Sequence, residues 1–165
     1  MSSQAGSVPG ESVVEMKNFI DGQFLGSSNK RSFDNINPST GAVYASVHEA
    51  SRDDVDRAVA AARAAMNGPW GRMSVAERSD LLFKVADRIN QRFEEFLLAE
   101  CLDTGKPRAL ASHIDIPRGA ANFKVFADVI RNVPTECFQM ETPDGTGAMN
   151  YGVRVPKGVI GVIRP

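Results

Sequence analysis

Cysteine and histidine are scarce in this sequence, with 2 of each among 165 residues. Two cysteines cannot build a disulfide framework, and two histidines cannot supply a rich metal cluster. A reduced, cytoplasmic setting is the default expectation. An excess of one charge is missing too. The 19 basic residues stand against 20 acidic ones, a net of −1, which excludes the broadly basic surface of a sequence-independent nucleic-acid binder. Long apolar runs are lacking: Val159–Ile163 is interrupted by Gly161 and falls far short of the roughly 20 residues that a membrane helix needs. No Lys or Arg precedes Lys17, whereas Glu11 and Glu15 do, the reverse of a secretory or mitochondrial leader. A dinucleotide fingerprint also fails. Gly145 and Gly147 are followed by Asn150 where a third glycine belongs, with no helical pattern after it, so the spacing reads as a hairpin turn.

What is present supports a packed core: 42% hydrophobic and 24% charged residues in a chain of one-domain length. Residues 1–16, rich in Ser and Gly, read as a disordered tail and 17–165 as the folded part. Asp21-Gly22 between short apolar runs signals a hairpin. Asn37-Pro38-Ser39-Thr40-Gly41 is a second turn, and Val43, Ala45 and Val47 alternate with polar neighbours as in a half-buried strand.

Helices follow. Ser51 with Asp54, and Ser74 with Glu77, resemble capping boxes. The first opens an apolar face of Val55, Ala58, Val59, Ala62 and Met66, stopped at Gly68-Pro69. The second opens a continuous helical run through Leu81, Val85, Ile89, Phe93 and Leu97 to Asp103. Gly105 suits a left-handed C-cap and Pro107 the first turn of a third helix. That helix is expected to bury a stripe of Leu110, Ile114, Ala121, Val125 and Val129, with Phe126 and Ile130 alongside. Pro117 inside it forfeits a backbone hydrogen bond at about 3 kcal/mol and predicts a break near Ile116. Met149, Tyr151, Val153 and Val155 alternate as a strand, and Val159–Ile163 reads as a strand covered on both faces.

Among polar residues, neither Cys101 nor Cys137 has an activating base nearby in sequence, and both suit a small-hydrophobe role. His48 and His113 lack ligand spacing. Arg118 has two readings. Pro117 could aim its planar fork at a carboxylate, or it pairs with Asp115 at i,i+3 on the surface.

Read in order, Phe19-Ile20-Asp21-Gly22, Phe33 to Gly41 (FDNINPSTG), Val55 to Ala65 (VDRAVAAARAA), Trp70, Glu77-Arg78, Asp103-Thr104-Gly105-Lys106-Pro107 and Pro156 to Ile163 (PKGVIGVI) resemble the N-terminal portion of the aldehyde dehydrogenase superfamily. Residues 100–127 resemble in particular the subgroup oxidising 2-aminomuconic or 2-hydroxymuconic semialdehyde in the bacterial breakdown of aromatic compounds.

The resemblance implies an α+β to α/β architecture. It would comprise the helical and hairpin part of a cofactor-binding domain with an incomplete Rossmann sheet, plus an oligomerisation arm over about residues 137–157 serving a dimer or tetramer. It implies NAD or NADP as cofactor, a cysteine nucleophile, a glutamate base and an oxyanion Asn. All three catalytic groups are expected beyond position 165, so the chain alone is expected to be inactive. Arg164 departs from the small residue that the family usually places before the proline matched here by Pro165. Arg118 matches the position where the subgroup places an Arg near the substrate carboxylate. Ile36, through its carbonyl, and Asp103 match a structural Na+ or K+ site, although Asp103 could equally cap a turn. A non-catalytic module that pairs with a full-length dehydrogenase is the alternative.

Overall fold

The computed structural model describes residues 13–163. Three small sheets flank a helical body. Strands β1 (Val14–Met16), β4 (Ser32–Ile36) and β5 (Val43–His48) form one sheet in the order β1-β5-β4. β1 runs parallel to β5 and β4 antiparallel to it, with a bulge between Asn35 and Ile36. The expected tail boundary is therefore wrong at its inner end. Val14–Met16 pairs with Ala45–Val47, because the outer edge of β5 offers backbone partners that the tail's composition does not reveal. The rest of the expected tail, residues 1–12, lies outside the described residues.

Strands β2 (Asn18–Ile20) and β3 (Gln23–Leu25) make the predicted hairpin. Asp21 and Gly22 both take left-handed conformations, φ 51° and 75°, as a two-residue turn between right-twisted strands demands. Helix α1 (Arg52–Ala65) carries the predicted capping box, with Ser51 and Asp54 bonding reciprocally. Its apolar face is less covered than the pattern implies. Val55 is exposed and the buried residue is Asp54.

After the single turn α2 (Pro69–Arg72), the expected continuous helix is two: α3 (Val75–Gln91), capped by Ser74 and Glu77, and α4 (Phe93–Thr104). The break falls at Arg92, φ −104° and ψ 28°. No proline or glycine marks it. The turn redirects Leu97 into a core with Ala111 and Ile116, packed by Ile89, Phe93 and Cys101. Gly105 closes α4 at φ 70°, and a Cβ there would sit 2.9 Å from Pro38 Cγ.

A short turn α5 (Arg108–Leu110) leads into a π-helical turn, Ala111–Asp115, and then α6 (Ile116–Asn132). The break expected at Ile116 is thus a π insertion, which absorbs the missing proline donor by widening one turn. The expected stripe on this helix is on the wrong face. Val125, Phe126, Val129 and Ile130 are exposed, while Ile116, Ala120 and Ala127 are buried. Small side chains explain the choice. Ala127 meets fully buried Ser79 of α3, whose Oγ donates to the Ala127 carbonyl at 2.8 Å, an approach that larger residues would prevent.

Strands β6 (Cys137–Met140) and β7 (Ala148–Tyr151) form an antiparallel hairpin with Cys137 opposite Tyr151. β7 is shorter than the alternation predicted. Val159–Ile163 is not a strand, and Ile163 is 98% exposed. Among the described residues no neighbouring strand accepts its backbone bonds, and an apolar run without a partner does not form a ladder. Arg164 and Pro165 lie outside the described residues. None of the described helices is long and apolar enough to cross a membrane.

Candidate functional site around Asp103 and Arg118

The loop from α4 to α6 gathers the polar residues that the sequence singles out. Gly105 ends α4 in a left-handed turn and brings Asp103, Lys106 and the Asn37–Gly41 turn together. Ser39 Oγ lies 3.5 Å from the Gly105 carbonyl. Asp103 Oδ1 accepts from Tyr44 Oη at 2.7 Å and from Asn35 Nδ2 at 2.9 Å. These donors, Tyr44 first, hold its carboxyl below the usual carboxylate range. Tyr44 moves the other way. Burial, then the Asp103 carboxylate, pushes its phenol up to about 12. Sequence reasoning misses both partners, although Tyr44 is visible as a polar position in the β5 alternation.

Ile36 follows Asn35 immediately, at the β4 bulge. The structure thus places Ile36 next to a ligand of Asp103 without linking the two residues directly. Both bonds to Asp103 end on the same oxygen. The second carboxylate oxygen and a backbone carbonyl are hard donors of the type a monovalent cation takes.

Lys106 bridges two acids. Its Nζ lies 3.1 Å from Glu100 Oε1 and 3.1 Å from Asp115 Oδ2, and these carboxylates, Glu100 first, raise its pKa. Asp115 Oδ2 is buried, and the Lys106 contact falls short of hydrogen-bond alignment. The surface pairing of Asp115 with Arg118, one of the two readings of that arginine, is therefore not formed. Asp115 ends the π turn and faces Lys106, while Arg118 is exposed on the first turn of α6 with no ion pair among the described residues. Lys106 is legible in the sequence only as part of a turn motif. Nothing in its spacing marks it as the partner of a residue nine positions on.

The other candidates lie apart. His48 accepts from the Ser27 backbone N–H at Nδ1 (3.1 Å) and contacts Glu15 through Nε2 (2.8 Å), which fastens β1 to the sheet. His113 Nδ1 contacts the Ala109 carbonyl at 2.8 Å. Cys101 is half-buried in α4 and Cys137 exposed on β6. A dinucleotide groove requires a strand, a glycine-rich turn and a helix. Here the Gly145–Gly147 turn joins two strands, β6 and β7, and is not such a turn.

Comparison with known proteins places this geometry. The sequence pattern of the Aldehyde dehydrogenase family matches residues 24–165. A 2-hydroxymuconic semialdehyde dehydrogenase of Pseudomonas sp. (strain CF600) is 67% identical over 153 residues, which span 93% of this chain and 32% of that protein. A 2-aminomuconic semialdehyde dehydrogenase of Homo sapiens is 44% identical over 153 residues, again 93% of this chain and 30% of that protein. Among solved structures, the NAD+ complex of an aldehyde dehydrogenase from Bacillus cereus is similar with a TM-score of 0.72 and 38% identity, covering 75% of this chain and 26% of that one. The chain thus spans about a third of the length of the curated relatives it matches.

Proposed function

Because the chain belongs to the aldehyde dehydrogenase family, we propose that it forms the N-terminal part of an oxidoreductase that converts a 2-hydroxymuconic or 2-aminomuconic semialdehyde to the corresponding acid with NAD. The observation that carries the substrate class is the 67% identity to a 2-hydroxymuconic semialdehyde dehydrogenase over nearly the whole chain. The NAD-bound relative supports the cofactor. Within this reading Arg118 binds the carboxylate of the semialdehyde. A planar guanidinium on an exposed first helical turn, with no acid paired to it among the described residues, is suited to grip a carboxylate in two-point fashion. Asp103 and the Ile36 carbonyl would contribute to a monovalent-cation site. The β6–β7 hairpin would be the arm that pairs protomers, since its exposed strands present free backbone groups.

NAD, when bound, accepts the hydride. What this chain's residues supply is substrate orientation and a rigid mount for Arg118.

The test is a chimera in which residues of this chain replace the matched N-terminal region of the Pseudomonas enzyme. Expected are NADH formation from 2-hydroxymuconic semialdehyde and, for Arg118→Ala, a raised KM for that acid-bearing aldehyde but not for a neutral one. The chain alone is expected to form no NADH. A folded chimera without turnover refutes the function, and an Arg118→Ala effect equal for both aldehydes refutes the role of Arg118.

A further inference from the structure

The π turn, the buried oxygen of Asp115 and Arg118, which has no ion pair among the described residues, form one arrangement. Asp115 and Arg118 are three residues apart, a spacing at which an acid and a base on one helix ordinarily meet. Such a pair would occupy the guanidinium. It is not formed, and Lys106 stands where the competing charge is needed, 3.1 Å from Asp115 Oδ2. We propose that Lys106 is a positioning residue that holds the Asp115 carboxylate away from Arg118, so that Arg118 stays open to an external carboxylate. This rests on the proposed role of Arg118 and assigns Lys106 and Asp115 to the same site.

Three observations converge on it. Lys106 is anchored independently, since Glu100 Oε1 takes its Nζ at 3.1 Å and Gly105 fixes the backbone just before it. Its location therefore does not depend on Asp115. Asp115 Oδ2 is buried and has no aligned hydrogen-bond donor, so Lys106 is its charge compensation among the described residues. With Lys106 removed, the half-buried Asp115 carboxylate loses the cation that contacts it at 3.1 Å, and Arg118 is the base at helical spacing. Finally, the π turn ends at Asp115. The widened turn leaves Asp115 directed to the preceding loop rather than along α6, the kind of local irregularity found at functional sites.

The primary measurement is NMR on the full chain: the hydrogen exchange of the Arg118 side-chain Nε–H in wild type, Lys106→Met and Lys106→Met/Asp115→Asn. Exchange is expected to slow in Lys106→Met, as Arg118 becomes paired, and to return to the wild-type rate in the double variant. Exchange unchanged in Lys106→Met overturns the proposal. So does slowing that persists in the double variant, since Asp115 is then not the new partner. Lys106→Arg, which preserves the charge, keeps the wild-type rate if compensation is the role, and a Lys106→Arg rate equal to that of Lys106→Met overturns it.

In the active chimera, Lys106→Met should raise KM for the acid-bearing semialdehyde about two- to three-fold, as expected from one partly exposed helical pair, with kcat unchanged and KM restored in the double variant. NMR pairing as expected together with an unmoved KM overturns the carboxylate reading of Arg118 and leaves the Lys106–Asp115 arrangement standing. The two failures are thereby distinguished.

Discussion

Substituting Ala127 by Leu tests which face of α6 is packed. Ala127 is fully buried, and fully buried Ser79 reaches its carbonyl at 2.8 Å. The interhelical space there is already filled by backbone and a hydroxyl. The added side-chain carbons must be accommodated by moving α3 and α6 apart, at about 1–3 kcal/mol for overpacking. Separation also weakens the Ser79 hydrogen bond, about 1 kcal/mol more. The expected total is about 3 kcal/mol, or roughly 6–12 °C in melting temperature for a chain of this size. The paired control is Phe126→Ala on the adjacent, 61% exposed position, where the change should stay within about 0.5 kcal/mol. Urea unfolding followed by far-ultraviolet circular dichroism reads both. A Phe126→Ala loss above about 1 kcal/mol, with Ala127→Leu near wild type, would put the packed face on the Val125/Phe126/Val129 stripe and refute the reasoning.

Further outcomes concern caps and turns. Asp54 is buried, and backbone N–H groups of Ser51 and Ser28, with Arg57 beside them, hold its carboxyl well below the usual carboxylate range. A depressed folded-state value means stabilisation that is present above the unfolded value, about 3.9, and lost as pH falls through the folded one. Acidification should therefore destabilise the chain progressively below about pH 4. Asp54→Asn should be less stable at neutral pH, with a flatter acid limb in circular dichroism. An identical acid limb in the variant would show that Asp54 is not the linked group. Gly105→Ala should destabilise by about 1–2 kcal/mol, since left-handed backbone and contact with Pro38 both oppose a Cβ. Gly119→Ala, in α6 with nothing within 4 Å of its Cβ position, should stabilise by about 0.5–1 kcal/mol. Thermal melts giving both variants the same sign would contradict this.

The elements that local chemistry specifies are legible in the residues themselves. Both capping boxes, the Asp21-Gly22 hairpin, the Gly105 cap and the break ahead of Pro117 stand where their residues predict, because each is decided by backbone sterics and hydrogen bonds within a few residues. Family membership is legible for a related reason. An ordered set of short motifs carries information that no single motif does.

The faces and partners are not legible in this way. Periodicity finds an apolar stripe on α6 but not which side meets α3, and the alanine face wins because close helix approach rewards small residues over hydrophobic ones. The turn at Arg92 has no local breaker and exists to bring Leu97 onto Ala111 and Ile116. The same limit applies at the candidate site. Sequence singles out Asp103 and Arg118, whereas Tyr44 and Asn35 on Asp103, and Lys106 on Asp115, are tertiary facts. Sequence by itself determined the local turns, the caps and the family. Only the tertiary structure decided which charges meet, because contacts between residues distant along the chain depend on how helices are stacked and not on their spacing in the sequence.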